Sequence, residues 1–538
     1  MASSFRNPII PGFNPDPTIV RVGDDYFLAT SSFEWFPGTP VYHSKDLIKW
    51  NVIGHVYTRP SQLDMRGTAP SGGLFANALR YHEKTKTSVA VAFAHSSILK
   101  TTKTPRSMFV HTTNIWDENS WSDPTYVDQP GFDPDLFFDD DDKIYLTTAL
   151  GAPQIPDSGY FAIWITEIDI ETGDSLVESE VLHVSTLPLD TPRLAEGAHI
   201  FKKDGWYYCM TAEAGTGVQH REMIMRAKSI KGPWEENPNN PILFNGRNTS
   251  LPILATGHGD LVETPEGEWY MVFLGIRPQN PRNASGVPQL NRETFLAPVT
   301  WEDGWPVVNR GQPITFEMPG LYNLARPPLW RDEFNGNFAD KGYYTQRTPY
   351  KAFHSFGARH GYLRLRGNPY MLSDRDTPAA FFRKQVDLET VWSTELDFQP
   401  TSPLHEAGAT VFLSISYHNE IAVTLHPNDT SRRVVTAQTR TGPEATLNQT
   451  YYDIPSTGSV RLFIKAERDS YSLGYAVVGD EEPTYVATLA SQWLQAFLPG
   501  WQVFTGAHFG VYSTGNSLPM LVPADFAYVQ TELIADVS

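Results

Sequence analysis

Short hydrophobic runs recur along the first part of the chain, each followed by a polar turn and an aromatic, strand-forming run. The stretch from Asn7 to Phe36 contains an apolar strand, an acidic turn at Gly23-Asp24-Asp25 and a second strand from Tyr26, which reads as a β-hairpin. Similar stretches begin at Leu74, Phe132, Ala195 and Gly257. Copies spaced roughly sixty residues apart predict a repeat architecture in which each copy supplies one sheet.

Five sheets of this kind close radially into a β-propeller, whose innermost strands line a central channel. We therefore predict a five-bladed β-propeller over residues 1–322. A Pro-rich linker follows at Arg326-Pro327-Pro328, and the short alternating runs from Leu329 onward are typical of a β-sandwich. The chain of 538 residues is thus predicted to be all-β, with a β-sandwich over residues 328–538 as its second domain.

Four of the five copies carry a polar residue near the start of the first strand. These residues are Asp16, Asp133, Glu196 and His258. If the repeats are in register, the four occupy equivalent places at one end of the channel, and three carboxylates converge on one pocket. Converging carboxylates in a site that excludes water suit glycoside hydrolysis, which needs a general acid together with a general base or a nucleophile. The alternative is that each acid only caps a turn.

The local context of each carboxylate favours a different role. Asp16 stands between Pro15 and Pro17, which fix its backbone, so we expect it to be held rigidly as a base. Glu196 has few charged neighbours in sequence, which favours a raised pKa and the role of an acid. Asp133 could orient the acid and tune its pKa by like-charge coupling.

Composition narrows the class of partner. The formal net charge of −19 argues against binding to nucleic acid or to an anionic membrane surface, and it suits a neutral substrate. The single cysteine, Cys209, excludes an intrachain disulfide framework, and no Cys/His cluster has the spacing of a zinc site. The N-terminus has no apolar signal region, so we expect a cytoplasmic protein or a secreted one whose signal has been removed. The oligomeric state stays open.

Several motifs taken together resemble glycoside hydrolase family 43, in its β-xylosidase and α-L-arabinofuranosidase branch. In chain order they are GFNPDPTIVRVGDDYFLATSSFEWFPG, GFDPDLFFDD, EGAHIF, GHGDLVET and TWEDGWPVV. The resemblance implies a five-bladed propeller followed by a β-sandwich, and hydrolysis with inversion at the anomeric carbon. Residue by residue, it implies that Asp16 is the general base, Asp133 the pKa-modulating carboxylate and Glu196 the general acid. In an inverting enzyme the acid and base lie roughly 6.5–9.5 Å apart.

The resemblance also implies substrate contacts in the propeller. Arg292 matches an arginine that hydrogen-bonds the sugar, although a surface salt bridge is the alternative. Phe33 matches an aromatic residue beside the cleaved sugar. His258 matches a channel histidine that holds a water-coordinated calcium ion in some members, so the expectation is either no required cofactor or calcium near His258. A structural histidine with no metal is the alternative.

Two features depart from the family pattern or lie outside the propeller. Phe75 stands where the branch has a tryptophan at the sugar site, and a smaller ring without the indole N–H could reshape the pocket. Phe504 and His508 lie in a sandwich segment that resembles the one from which this branch extends a side chain into the pocket. An ordinary position in the core of a sheet is the alternative for both.

The substrate implied first is β-1,4-linked xylose at the non-reducing end of xylo-oligosaccharides. The second is α-L-arabinofuranose on arabinoxylan, and many members cleave both. Pentoses present similar hydroxyl patterns, so Phe75 keeps the second open. A carbohydrate-binding propeller without catalysis would be expected to lack at least one of the three acids. A fructan-cleaving enzyme would carry Asn-Asp-Pro-Asn where this chain has Asn14-Pro15-Asp16-Pro17.

Overall fold

The computed structural model describes residues 4–95, 106–155, 159–278, 289–321, 327–336, 339–442, 448–495, 497–498 and 501–534. These residues form two compact units. The first contains residues 4–64, 72–278 and 292–321, and the second contains residues 65–71, 289–291 and those from 327 onward. The sequence-based division placed all residues up to 322 in the propeller, so it missed the two short segments that belong to the second unit.

Hydrogen bonds explain why these two segments belong to the second unit. The Arg347 guanidinium donates from Nε to the carbonyl oxygen of Thr68 over 2.7 Å. The Asn291 amide donates to the carbonyl oxygens of Val503 and Thr505 over 3.0 and 2.9 Å. Hydrogen-bond partners this far apart in sequence cannot be read from local patterns, because each segment only looks like a loop.

The first unit consists of five four-stranded antiparallel sheets, which confirms the predicted five-bladed propeller. Each sheet is built from consecutive strands, because short turns join neighbouring strands of one repeat. In order, the strands are Thr18–Val22, Asp25–Ala29, Gly38–Ser44 and Asn51–Tyr57 in blade 1; Gly73–His82, Thr87–His95, Arg106–Thr112 and Thr125–Tyr126 in blade 2; Phe132–Phe138, Ile144–Leu150, Ala162–Glu167 and Glu180–Val184 in blade 3; Ala195–Lys203, Trp206–Glu213, Arg221–Ala227 and Glu235–Glu236 in blade 4; and Leu254–Glu263, Trp269–Ile276, Glu293–Glu302 and Trp305–Val308 in blade 5.

The first strand of each blade lies at the centre of the ring. First strands are in contact between blades 1 and 2, 2 and 3, 3 and 4, and 5 and 1. They therefore line a common channel, as expected for a propeller.

The N-terminal segment closes the ring. Strand Ser4–Arg6 pairs with Glu317–Pro319, and Ile10 pairs with Thr294 in the third strand of blade 5. The Asn7 side chain donates to the Leu296 carbonyl oxygen over 2.9 Å and accepts from the Leu296 amide over 3.0 Å. We call residues 4–14 the closing segment, because it joins the first blade to the last.

The first strands of blades 2 to 5 share a β-bulge at the same level, and the strand of blade 5 has a second one between Leu254 and Gly257. The bulged pairs are Phe75-Ala76, Asp133-Pro134, Gly197-Ala198 and His258-Gly259. Asp133, Gly197 and His258 have left-handed backbone conformations with φ of 49°, 56° and 48°, and Asp16 has φ of 53° two residues before the blade 1 ladder begins. A bulge re-aims a side chain and ends regular pairing. These positions therefore form one layer at the end of the channel.

Glu196 does not stand in the register predicted from the repeat. It lies one residue before the bulge of blade 4, and Gly197 occupies the position equivalent to Asp133 and His258. A Cβ atom on Gly197 would lie 2.9 Å from ring atoms of His258. The bulge position of this blade thus has no room for a side chain, so the carboxylate is supplied by the preceding residue.

The second unit contains two packed antiparallel sheets, which confirms the predicted β-sandwich. The first sheet has the order His354–Ser355, Leu363–Arg366, Pro523–Leu533, Thr390–Asp397, Val460–Ala466, Ser470–Val477 and Thr484–Ala490, with Leu329–Asp332 also paired to Pro523–Leu533. The second has the order Ala379–Lys384, His508–Thr514, Glu406–Ser414, Tyr417–His426, Asp429–Thr441 and Asn448–Asp453. Shorter strands are Trp35–Phe36 in the first unit and Thr345–Gln346, Phe497–Leu498 and Trp501–Gln502 in the second.

Alternation along each strand builds the core of the sandwich. In Glu406–Ser414, the side chains of Ala407, Ala409 and Val411 pack into the core together with Trp392 of the other sheet. The described helices are three short 3-10 turns at Asn245–Arg247, Asn309–Gly311 and Ser491–Leu494. No helix within the described ranges is long and apolar enough to cross a membrane.

Candidate active site

Asp16 is the best-supported side chain of the channel end. Its Oδ1 accepts a hydrogen bond from Arg292 Nη1 over 3.0 Å and lies 3.4 Å from His258 Nδ1. Its Oδ2 accepts from the Ser31 hydroxyl over 2.7 Å. The side chain is almost fully buried. The carboxylate is therefore fixed in position by groups from both the first and the last blade.

The closing segment explains how Arg292 reaches Asp16. The Asn14 amide donates to the Arg292 carbonyl oxygen over 3.0 Å, and Thr294 Oγ1 donates to the Asn14 carbonyl oxygen over 2.7 Å. These bonds hold the strand that begins at Glu293 alongside residue 14. Arg292 is thereby placed beside Asp16, which lies two residues after the end of the closing segment.

Opposing effects set the pKa of Asp16. Burial alone would raise this pKa, but the positive charge of Arg292, the neighbouring histidines and the hydrogen bond from Ser31 outweigh burial and hold the pKa below its usual value. Asp16 is therefore ionised in the folded protein at neutral pH. An ionised, oriented carboxylate is what a general base requires.

Asp133 and Glu196 have the opposite electrostatics. Burial, followed by the negative charge of Asp16, raises the pKa of Glu196 to about 7. Burial and then the Glu196 charge raise the pKa of Asp133 well above its usual value, although the Gly197 amide donates to Asp133 Oδ2 over 3.1 Å. Two buried carboxyl groups that repel each other share a proton in the neutral range. The site thus combines one ionised carboxylate, Asp16, with a pair of carboxyl groups, Asp133 and Glu196, that share one proton.

The two histidines near Asp16 are neutral at pH 7. Burial lowers the pKa of His258 to about 4 and that of His220 to about 3. His220 Nδ1 lies 3.2 Å from the Ala255 carbonyl oxygen, which fixes its ring. Their role in this electrostatic environment is to orient neighbouring groups, and Arg292 supplies the positive charge next to Asp16.

Aromatic rings form one wall beside Arg292. The centroids of Phe33 and Phe75 are 4.8 Å apart, and Phe13 lies 5.9 Å from Phe33. The Arg292 guanidinium carbon is 5.6 Å from the Phe33 centroid. Phe75 is partly exposed, whereas Phe33 is buried. The structure thus brings Phe33 and Phe75 together with Arg292, and part of the Phe75 side chain is exposed to solvent.

Comparison with known proteins identifies the family. Residues 5–306 match the family described as "Glycosyl hydrolases family 43". The chain belongs to glycoside hydrolase family 43. Residues 331–532 of this family 43 enzyme match "Beta xylosidase C-terminal Concanavalin A-like domain". The resemblance to the xylosidase and arabinofuranosidase branch is therefore confirmed across both units.

Relatives carry both activities in their names. The enzyme is 36% identical over 530 residues to "Non-reducing end alpha-L-arabinofuranosidase BoGH43B" of Bacteroides ovatus, covering 97% of this chain and 94% of that protein. It is 30% identical over 542 residues to "Beta-xylosidase" of Bacillus subtilis, covering 97% and 98%. The crystal structure of a xylan beta-1,4-xylosidase from Bacillus halodurans superimposes with a TM-score of 0.88 at 31% identity, covering 98% and 100%.

The surroundings of His258 do not fit a calcium ion. Ca²⁺ takes six to eight oxygen ligands, preferably carboxylates and carbonyls. The carboxylates near His258 are those of Asp16 and Asp260. Asp16 is already bound by Arg292 and Ser31, and Asp260 is bound by Arg80. In the part of the chain that the structure describes, no group of three His, Cys, Asp or Glu side chains is arranged to hold a metal.

Phe504 and His508 lie in the second unit. The Phe504 amide donates a hydrogen bond to Ser71 Oγ over 2.9 Å. His508 is fully buried in the second sheet, and its Nδ1 lies 2.8 Å from the Gly506 carbonyl oxygen. Burial lowers the pKa of His508 to about 3. A neutral, buried ring bonded to its own backbone fits a structural position in the sheet, so substrate contact by Phe504 or His508 stays a prediction.

Sequence reasoning missed two functional neighbours of the site. Ser31 lies within the first motif that resembles the family, but nothing in the sequence marked this serine as the one that bonds Asp16. Arg80 was also missed, although the repeat held a clue. In blades 3, 4 and 5 a polar residue lies two positions after the first residue of the bulge. Aligning Asp135, His199 and Asp260 by their bulges would have revealed a buried polar layer that needs a positive charge.

Proposed function

We propose that the protein is an inverting exo-glycosidase that releases the terminal xylose of β-1,4-xylo-oligosaccharides. The proposal assigns Asp16 as general base, Glu196 as general acid and Asp133 as the carboxyl group that is coupled to the acid and modulates its pKa. The observation that carries it is the division of charge among three buried carboxyl groups. The pKa of Asp16 is lowered, while those of Asp133 and Glu196 are raised.

The proposed reaction proceeds in one displacement. A water molecule, deprotonated by Asp16, attacks the anomeric carbon from the face opposite the leaving group. The glycosidic C–O bond breaks as Glu196 donates its proton to the leaving oxygen, so that the products are an inverted pentose and a shortened alcohol. Asp16 ends protonated and Glu196 ionised, and solvent exchange restores both.

Arg292 and the phenylalanines support this reaction. Arg292 keeps Asp16 ionised and places a guanidinium, a group with five N–H donors, beside the proposed sugar site. The partly exposed face of Phe75 can stack on the sugar ring, which is neutral and carries apolar C–H faces. Phe33, buried behind Phe75, fixes its orientation.

Two relatives support xylose as the sugar, since their names describe a β-xylosidase and a xylan β-1,4-xylosidase. The second candidate is removal of α-L-arabinofuranosyl groups from arabinoxylan. It is supported by the Bacteroides ovatus arabinofuranosidase at 36% identity. It is also supported by Phe75, because the smaller ring leaves more room at the glycone position.

A parallel assay separates the two candidates. Turnover is measured on p-nitrophenyl β-D-xylopyranoside and p-nitrophenyl α-L-arabinofuranoside, and products are analysed from xylobiose and arabinoxylan. We expect xylose from xylobiose, with the β-anomeric bond giving α-xylose as the first product by NMR. Arabinose from arabinoxylan with xylobiose intact would instead establish the debranching activity. Asp16→Ala serves as the inactive control, because it lacks the carboxylate that is proposed to deprotonate the attacking water.

A further inference from the structure

A second polar layer lies directly below the candidate active site. Each blade contributes one residue to this layer. In blades 2 to 5 it lies two positions after the first residue of the bulge, and in blade 1 it lies two positions after Asp16. These residues are Thr18, Asn77, Asp135, His199 and Asp260, and all are buried. Buried carboxylates are unfavourable unless paired with a positive charge. A layer with two of them requires a cation.

The Arg80 guanidinium supplies this charge from the first strand of blade 2. Its Nη1 donates to Asp260 Oδ2 over 2.8 Å and to Thr18 Oγ1 over 3.1 Å. Its Nη2 donates to Asp135 Oδ2 over 2.7 Å and lies 2.9 Å from His199 Nδ1. One side chain therefore contacts blades 1, 3, 4 and 5 from blade 2, which only a planar group with several N–H donors can do.

The charge on Arg80 is permanent. Burial would lower its pKa, but the Asp135 and Asp260 carboxylates outweigh burial and raise it. The Asp260 carboxylate also accepts from the Thr18 hydroxyl and the Ile19 amide over 2.9 and 3.1 Å. The layer is thus closely bonded around a fixed cation.

The second layer supports the first through the same strands. Asp135 is two residues from Asp133, and Asp260 is two residues from His258. The His199 and His258 rings are 5.9 Å apart, and His258 Nδ1 lies 3.4 Å from Asp16 Oδ1. A displacement of Asp135, His199 or Asp260 would therefore move the bulges that hold the candidate catalytic groups.

We propose that Arg80 is the built-in cation of the channel and a positioning residue for the reaction. It joins the five first strands below the active site and supplies the positive charge between the Asp135 and Asp260 carboxylates, the place that a bound metal ion would otherwise take. The activity part rests on the proposed function, whereas the structural part does not. The protein is therefore expected to hold its fold and its activity without a divalent cation.

The test uses the full chain with Arg80→Ala and Arg80→Lys. We expect Arg80→Ala to lower kcat about 100-fold with a smaller change in KM, because misplacement of reacting groups affects the transition state more than binding. Arg80→Lys should retain more activity, since it keeps the charge but not the planar set of donors. Millimolar guanidinium should partly restore kcat and melting temperature in Arg80→Ala by refilling the vacated space.

The matched control is Arg432→Ala, which removes an exposed arginine paired with Asp453 in the second unit. Guanidinium should change neither its activity nor its melting temperature. The wild-type protein should contain no stoichiometric divalent metal, and EDTA should leave its melting temperature unchanged.

Three results would overturn the proposal. The first is that Arg80→Ala has the same kcat as the wild type. The second is that the wild type binds a stoichiometric divalent metal whose removal lowers its melting temperature. The third is that guanidinium changes the kcat and melting temperature of Arg432→Ala as much as those of Arg80→Ala. If Arg80→Ala does not fold, Arg80→Lys carries the same comparison through its melting temperature and metal content. If the wild type hydrolyses no glycoside, the proposed function fails, while the melting-temperature rescue still tests Arg80.

Discussion

Asp16 and Glu196 are both buried carboxyl groups, yet their neighbours shift their pKa values in opposite directions. Asp16 has Arg292 at 3.0 Å, whereas Glu196 faces the charge of Asp16 across the site. Neither shift follows from the identity of the residue. Each follows from which charges the fold places beside a group that has lost contact with water.

The pH dependence of kcat/KM should show this division. Asp16, with a pKa below 3.8, must be ionised, so activity should fall only in strongly acidic solution. The Asp133–Glu196 pair must hold a proton, so activity should fall as the pH rises through about 7. The measurement is kcat/KM of the wild type on an aryl xyloside across the pH range. Activity that increases on the alkaline side of neutrality would contradict the assignment.

Replacing the acid should affect substrates unequally. Glu196→Gln should lower kcat on xylobiose by about 100- to 10,000-fold, because an unactivated leaving group needs the proton. On p-nitrophenyl xyloside, whose leaving group departs without protonation, the loss should be much smaller. Glu235→Gln, an exposed glutamate in the same blade, is the control. Equal losses on both substrates would exclude Glu196 as the proton donor.

The three acids could be predicted from the sequence, but their geometry could not. The repeat pattern placed Asp16, Asp133 and His258 correctly in one layer. It misplaced Glu196 by one residue, because the prediction did not use the spacing: Glu196 stands four residues before its apolar pair at Ile200, whereas Asp133 stands three before Leu136. Arg80 was missed because its partners lie in other blades, and Ser31 was missed although its partner Asp16 lies only 15 residues away in the same blade.

At the scale of the element, the bulge in the first strand of blade 4 determines where its side chains point. Gly197 has φ of +56°, a conformation that strains any residue with a Cβ atom. Its Cβ position lies against the His258 ring. Glycine here therefore serves both the backbone of the bulge and the space for the histidine.

Gly197→Ala should separate these two roles when compared with Gly205→Ala. Gly205 also has positive φ, +74°, but a Cβ there would meet nothing within 4 Å. Both variants should lose about 1–2 kcal/mol of stability from backbone strain. Only Gly197→Ala should lose kcat as well, because it displaces His258 beside Asp16. Thermal denaturation and kinetics of both variants test this, and equal kcat values would contradict it.

The strands themselves were the most predictable elements. Apolar runs and acidic turns marked the hairpins, because the alternation of a half-buried strand is a local property. The order of strands within each blade follows the chain, whereas each sandwich sheet places a strand from the end of the chain beside strands from its middle. The assignment of residues 65–71 and 289–291 to the second unit was not predictable, since it depends on bonds to residues far away in the chain.

At the scale of the whole molecule, the second unit contains its own group of coupled carboxyls. Tyr512 Oη lies 2.8 Å from Glu406 Oε1 and 2.8 Å from Glu420 Oε2. Because one hydroxyl proton can serve only one acceptor, the other contact needs a proton on a carboxyl group. Burial and then the Glu420 charge raise the pKa of Glu406 to about 8, so Glu406 carries that proton.

Stability should therefore decrease with rising pH on account of Glu406. Its pKa is about 8 in the folded protein and 4.5 ordinarily. Its stabilising contribution is therefore complete below pH 4.5 and is lost progressively as the pH rises to about 8. Glu406→Gln should lessen the fall in unfolding free energy between about pH 5 and about pH 8 by on the order of a few kcal/mol. Glu532→Gln, exposed in the same unit, is the control. Parallel melting curves for all three proteins would contradict this.

The closing segment makes the catalytic charge a product of the completed chain. Asp16 lies near the beginning, and its partner Arg292 lies 276 residues later, beyond four blades. During synthesis the first blades emerge long before the arginine exists, and contacts of such separation form late in folding. An incomplete ring therefore exposes a carboxylate without its guanidinium. Under the proposed function, the ability to hydrolyse a glycoside is acquired only when the two ends of the propeller meet.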